Sequence, residues 1–212
     1  MTVRLPSFSK MKCPHLRRLA DQVGLVLASG SPRRRTILKE LGLKFEIIVP
    51  SIREEFDPAL SPAEQAIELA RQKAASLKIE DQRCYLSCDT VVFLDGKFLD
   101  KPRDRDEAFK ILKTLSGRTH SVITGLALRG GNDGRILTGF EESRVSFNEL
   151  EDRQINEYIA TGEPMDKAGA YGIQGMGGFL VDTVDGNIDN VIGLPVGELE
   201  CLVRLFLENY DR

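Results

Sequence analysis

With 212 residues, 42% of them hydrophobic and 29% charged, the chain fits one domain, or one domain in two lobes, large enough to bury a substantial core. A net charge of −3 supplies no global basic field, which argues against a nucleic-acid partner, and no apolar run approaches a membrane span, which argues against a membrane. The four cysteines form no Cys-x-x-Cys pair and the two histidines lie far apart, so zinc is unsupported and free thiols in a reducing, cytoplasmic setting are expected.

Residues 1–20 carry Arg4, Lys10, Lys12, Arg17 and Arg18 and no acid. They read as a weakly ordered or disordered N-terminal extension. The basic, acid-free start leaves an organelle address as the alternative, although a secretory apolar core is lacking.

From Leu25 an apolar segment runs into Ser29-Gly30-Ser31-Pro32-Arg33-Arg34-Arg35, a strand that turns through small residues directly into a helix. Ser31 suits an N-cap and Pro32 a first helical position, and the helix shows Ile37, Leu38 and Leu41 on one face before Gly42 ends it. Backbone N–H groups, two serine hydroxyls, Arg33 and Arg34 converge there, an outline suited to a phosphate chain. The competing reading is a surface charge run; Arg35, which points away from the apolar face, fits it best.

A short strand over Phe45–Val49 leads to a polar loop with Glu54 and Glu55, and Ser61-Pro62-Ala63-Glu64 is a capping box that opens a helix over Pro62–Leu77. Its buried face is Ala66, Ile67, Leu69, Ala70, Ala74 and Leu77; Gln65, Glu68, Arg71, Gln72, Ala75 and Lys78 lie opposite. Lys73 falls on the buried face, where it either snorkels out or reaches something negative. Tyr85–Leu99 reads as a hairpin turned by Asp95-Gly96. Asp89 sits inside its first strand and calls for a metal, a proton-transfer role or an ion pair, the alternative being a water-facing edge. An uncompensated carboxylate there would make Asp89→Asn stabilising.

Asp104 and Glu107 open a helix through Leu115; strands follow near Thr119–Leu128 and Leu137–Phe147, then a helix from Asn148–Glu151 to Ile159. The order is not a regular βαβ repeat, which favours a mixed sheet with helices packed around it. Five glycines within residues 169–178 allow close backbone approach to a ligand, without the pattern of a Walker loop or a dinucleotide fingerprint. Asp185-Gly186 reads as the turn of a last hairpin, and Pro195 opens a C-terminal helix.

Three blocks in order resemble the Maf family of nucleotide pyrophosphatases: Leu27-Ala28-Ser29-Gly30-Ser31-Pro32-Arg33-Arg34; Cys88-Asp89-Thr90-Val91-Val92 with Asp100-Lys101-Pro102-Arg103-Asp104; and Asp166-Lys167-Ala168-Gly169-Ala170-Tyr171-Gly172-Ile173-Gln174-Gly175. The resemblance spans about Gly24 to Leu207, so residues 21–212 form the expected domain. It implies an α/β fold similar to inosine triphosphatases, a mixed sheet with flanking helices in two lobes around a cleft, and a possible homodimer. It also implies cleavage of a nucleoside triphosphate between the α and β phosphorus atoms with a divalent cation, and the carboxylates of Glu54 and Asp89 offer hard oxygen ligands suited to Mg²⁺ or Mn²⁺.

The third block resembles the branch acting on dTTP and UTP rather than the one acting on 7-methyl-GTP, which stands as the alternative base preference; a non-catalytic nucleotide-binding regulator is the alternative of another class. By position the resemblance makes Asp89 the proton acceptor, with Glu54, Lys73 and Lys101 as the other catalytic residues. Arg33, Thr90 and Gln174 match residues of substrate choice and join Ser29, Ser31 and Arg34 as substrate-binding. Cys88 stands where the family pattern has a small residue, and Arg53 where an acid beside Glu54 is common.

Overall fold

The computed structural model describes residues 7–53, 55–79, 81–130 and 134–210, the last two by backbone alone. Its described elements are α1 (Pro14–Arg18), β1 (Leu25–Leu27), α2 (Pro32–Glu40), β2 (Glu46–Ile47), α3 (Pro62–Ala75), β3 (Cys84–Leu94), β4 (Lys97–Phe98), α4 (Arg105–Leu115), β5 (Thr119–Gly130), β6 (Ile136–Phe147), α5 (Asp152–Ala160), β7 (Val181–Asp185), α6 (Ile188–Ile192) and α7 (Val196–Tyr210). The strands form one seven-stranded sheet in the order β2-β1-β3-β5-β6-β7, with β4 on β3. β1 runs parallel to both β2 and β3, while β4 is antiparallel to β3 and β7 to β6. The sheet is mixed, as the irregular element order leads one to expect.

The chain divides into two compact units. The first comprises Ser7–Asp89, Thr124–Glu141 and Gly193–Arg212; the second, among described residues, comprises Thr90–Ile123 and Glu142–Ile192.

In the first unit β1 is buried along its whole length because strands flank it on both edges. α3 begins at the predicted capping box, with Ser61 Oγ accepting from the Glu64 amide and Glu64 returning to the Ser61 amide. Its alanines bring the helix very close to β5. A Cβ on Gly125 would lie 2.2 Å from the carbonyl oxygen of Ala66, so only glycine fits that strand position. One assignment from the helical wheel is corrected: Gln65, predicted on the polar face, is fully buried. The loop before the helix folds over it, and Gln65 Oε1 accepts from the Asp57 amide at 3.0 Å.

The start of the chain also differs from expectation. Residues 1–6 lie outside the described residues, but beyond them the segment is packed, with helical turns over Phe8–Lys10 and Pro14–Val23 and with Phe8, Leu16 and Leu19 buried. Glu200 of α7 is the reason. Its carboxylate accepts from the backbone amides of His15 and Leu16 and contacts His15 Nδ1, which caps α1 from across the unit.

In the second unit the β3–β4 hairpin turns at Asp95-Gly96, both with positive φ (47° and 78°), as that dipeptide predicts. α4 starts at Asp104, whose side chain accepts from the Glu107 amide. The predicted last hairpin at Asp185-Gly186 is not formed: β7 is followed by α6. Asn190 of that helix donates to the Val122 carbonyl and to Ser143 Oγ, both at 2.9 Å, and this anchoring pulls the chain into a helical turn instead of a returning strand.

Candidate active site

The parallel pairing of β1 with β2 and β3 sends three chain segments out at one end of the strands, the usual location of ligands in parallel sheets. Leu27 is in register with Leu86 and with Ile47. The Ser29–Arg34 turn therefore leaves β1 level with Cys88, one residue before Asp89. The loop holding Arg53 and Glu55 follows β2; Glu54 itself lies outside the described residues.

α2 begins as the sequence predicts, with Ser31 at the N-cap in an extended conformation and Pro32 in the first turn. The turn is held by Arg34, which the sequence places among the substrate-binding residues. Arg34 is buried, and its guanidinium donates from Nε to the Gly193 carbonyl at 2.8 Å and from Nη1 to Ser29 Oγ at 3.0 Å. Ser29 Oγ also accepts from the Ser31 amide at 3.2 Å. With both acceptor positions filled, the Ser29 hydroxyl keeps its proton as the capacity left for a ligand, and a donor suits an anion. Ser31 and Arg33 are half-buried beside it.

Lys73 does not snorkel into solvent. It reaches Asp89 and forms an ion pair with Oδ1, the two side chains retaining 16% and 13% exposure. Asp89 thus has the partner its place inside a strand calls for, and the carboxylate is compensated, contrary to the expectation that Asp89→Asn stabilises. Burial pushes the Cys88 thiol up to about 11, while the charges of Arg34 and Lys73 pull it the other way. The β1–β3 register sets Ser29 level with Cys88, so the Arg34–Ser29 contact and the Lys73–Asp89 pair sit at adjoining positions of two neighbouring strands within the first unit.

The remaining candidates belong to the second unit. Thr90 is half-buried on β3, Lys101 is exposed between β4 and α4, and Gln174 is half-buried in the glycine-rich loop. Sequence reasoning missed Gln72, which pairs with Glu55 through both amide groups: Oε1 accepts from the Glu55 amide at 3.0 Å and Nε2 donates to its carbonyl at 3.1 Å. It also missed Glu163 and Tyr158, which bind the backbone of the glycine-rich loop. The capping periodicity carries no signal for such long-range contacts.

No group of three or more His, Cys, Asp or Glu residues capable of holding a metal occurs among the described residues. A single half-buried carboxylate with one oxygen engaged by an ammonium matches a cation such as Mg²⁺, which uses one or two carboxylates together with substrate phosphates. It does not match a closed all-protein cage. No helix among the described residues is long and apolar enough to cross a membrane.

The chain is similar to a dTTP/UTP pyrophosphatase of Thermoanaerobacter sp. (strain X514), with 45% identity over 177 residues that cover 82% of this chain and 92% of the relative. It is similar to proteins of the same designation from Caldicellulosiruptor bescii, at 43% identity covering 85% and 93%, and Bacillus pumilus, at 42% identity covering 86% and 96%. Among solved structures it is similar to a HAM1 protein from Coxiella burnetii, at 19% identity and a TM-score of 0.49, covering 87% of this chain and 98% of that one. The profile of the Maf family, described as Maf-like protein, matches residues 24–206, and the chain belongs to that family.

Proposed function

We propose that this protein hydrolyses dTTP and UTP at the anhydride between the α and β phosphorus atoms, releasing the monophosphate and pyrophosphate. The observation that carries the proposal is kinship at 42–45% identity, over more than four-fifths of the chain, to proteins designated dTTP/UTP pyrophosphatases. The first unit supplies chemistry that suits this reaction. A hydroxyl donor and arginines at a helix N-terminus fit a phosphate chain, and an ammonium fixes a carboxylate at the end of parallel strands.

In this reading Asp89 accepts the proton of the attacking water and Lys73 holds its carboxylate in place. Ser29, Ser31, Arg33 and Arg34 bind the phosphates, and Arg34 also braces the Ser29 turn from within the protein. Lys101 neutralises phosphate charge, which rises on the leaving pyrophosphate. Thr90 and Gln174 take part in substrate choice. The amide of Gln174 offers a donor and an acceptor for the O4 and N3–H edge of uracil or thymine. Asp89 and Glu54 are the groups that would hold Mg²⁺ or Mn²⁺, and the bound cation would neutralise charge on the triphosphate. Four cysteines outside any disulfide, three of them buried, fit a reducing cytoplasmic setting.

The test is product analysis. Incubation with UTP or dTTP and Mg²⁺ or Mn²⁺ is expected to yield monophosphate and pyrophosphate in equal amounts from the first turnover. A nucleoside diphosphate as first product, or turnover of 7-methyl-GTP in preference to UTP, overturns the proposal.

A further inference from the structure

The glycines of the third block are wrapped around a carboxylate of the protein itself. Glu163, half-buried in the turn after α5, accepts from the backbone amide of Met176 with Oε2 at 3.0 Å and from that of Gly177 with Oε1 at 3.3 Å. The Tyr158 hydroxyl donates to Glu163 Oε1 at 3.0 Å and accepts from the Gly172 amide at 3.1 Å. Burial pushes the Tyr158 phenol up, so it stays a neutral donor.

Two glycines show how closely the loop is fitted. A Cβ on Gly175, whose φ is 131°, would lie 2.8 Å from Glu163 Oε2, and one on Gly177 would lie 2.5 Å from the Gly172 carbonyl oxygen and 2.7 Å from the Tyr158 hydroxyl. The loop between Gly172 and Gly177, with Gln174 at its centre, is thus closed over one anion by charge-assisted hydrogen bonds from its own backbone. Lys167 extends the clamp: its ammonium donates to the Glu163 carbonyl at 2.6 Å and pairs with Asp166.

We infer that Glu163, supported by Tyr158, is a positioning residue for base selection, acting through the loop that presents Gln174. The inference rests on the proposed role of Gln174 in reading the pyrimidine. Glu163 touches neither base nor phosphate in this account; it fixes the loop backbone so that the Gln174 amide is held ready.

Steady-state kinetics with UTP and CTP test this on Glu163→Gln, Tyr158→Phe, Gln174→Ala and the Glu163→Gln/Gln174→Ala pair, with amide hydrogen exchange followed at Met176 and Gly177. Glu163→Gln keeps the size but replaces one acceptor with a donor facing an N–H. The UTP:CTP ratio of kcat/KM should fall about tenfold, mostly through KM for UTP, with kcat at saturating UTP within about threefold of the parent. Exchange at the two amides should quicken more than tenfold. Tyr158→Phe should move both readouts the same way by a smaller factor and serves if Glu163→Gln does not fold. In the double variant the ratio should match that of Gln174→Ala alone.

Equal loss of kcat on both nucleotides with the ratio preserved, or additive losses in the double variant, overturns the inference. If Gln174→Ala alone leaves the ratio unchanged, the base-reading role of Gln174 fails. The inference then falls with it, whereas a ratio that falls in Gln174→Ala but stays unchanged in Glu163→Gln overturns the positioning role of Glu163 alone.

Discussion

At the scale of single residues, the Lys73–Asp89 pair decides what a substitution means. Asp89→Asn keeps the shape and one acceptor oxygen but removes the charge. As the loss of a general base it should lower kcat by at least about a hundredfold. The same change leaves the Lys73 ammonium, 16% exposed, facing a neutral amide. Breaking a fully buried pair costs about 3–5 kcal/mol; with this much exposure about 1–2 kcal/mol is expected, a fall in Tm of roughly 2–8 °C at this chain length. Assays alongside thermal melts check both. Near-normal turnover in a folded Asp89→Asn protein removes the proton-accepting role, and an unchanged or raised Tm removes the stabilising role of the pair. The wheel could place Lys73 on the apolar face of its helix, but a wheel holds no information about β3, so the choice between solvent and carboxylate lay outside it.

At the scale of elements, α3 carries both Lys73 and the glutamines that hold the loop after β2, so its seat on the sheet matters to the site. That seat is the contact of Gly125 with the backbone of Ala66 and Ile67, at 2.2–2.5 Å for an added Cβ. The obstructing atoms are helix backbone, which cannot rotate aside. Gly125→Ala is therefore expected to destabilise by about 3 kcal/mol, the upper range for overpacking, and to lower Tm by about 6–12 °C. Gly197→Ala, in the first turn of α7 with nothing within 4 Å of the added Cβ, is the control and should be neutral or stabilising by up to about 1 kcal/mol. Equal melts for the two variants would show that the helix can yield. Local signals predicted α3 well: a capping box and an apolar period suffice to start and orient a helix. They did not predict the burial of Gln65 or the packing of α1 on α7, because both depend on partners distant in sequence, the loop at Asp57 and the carboxylate of Glu200.

At the scale of the whole molecule, the burial of His120 links folding to pH. His120 is buried against Phe147 and Tyr171, sharing a 2.8 Å hydrogen bond with the Tyr171 hydroxyl, and its Nδ1 has no partner among the described residues. Burial lowers its pKa from 6.5 to about 4. Between those values the unfolded chain binds the extra proton and the folded chain does not, so stability is full above about pH 6.5 and declines as pH falls toward 4. At roughly 1.4 kcal/mol per pH unit the loss amounts to about 3 kcal/mol. His120→Gln should flatten the dependence of Tm on pH across that window; a slope as steep as that of the parent would assign it to other groups. By itself the sequence determined the elements that local chemistry can dictate, namely the capped helices, the Asp95-Gly96 hairpin, the strand-to-helix turn at Ser29, and the family. Tertiary structure alone decided that Arg34 braces that turn, that Lys73 meets Asp89, and that the glycine-rich loop closes on Glu163. The first set arises from neighbours a few residues apart, whose backbone preferences and side-chain caps act before the chain has folded. The second arises from charged and polar groups whose partners come within hydrogen-bonding distance only once strands and helices have packed and water has been removed from between them.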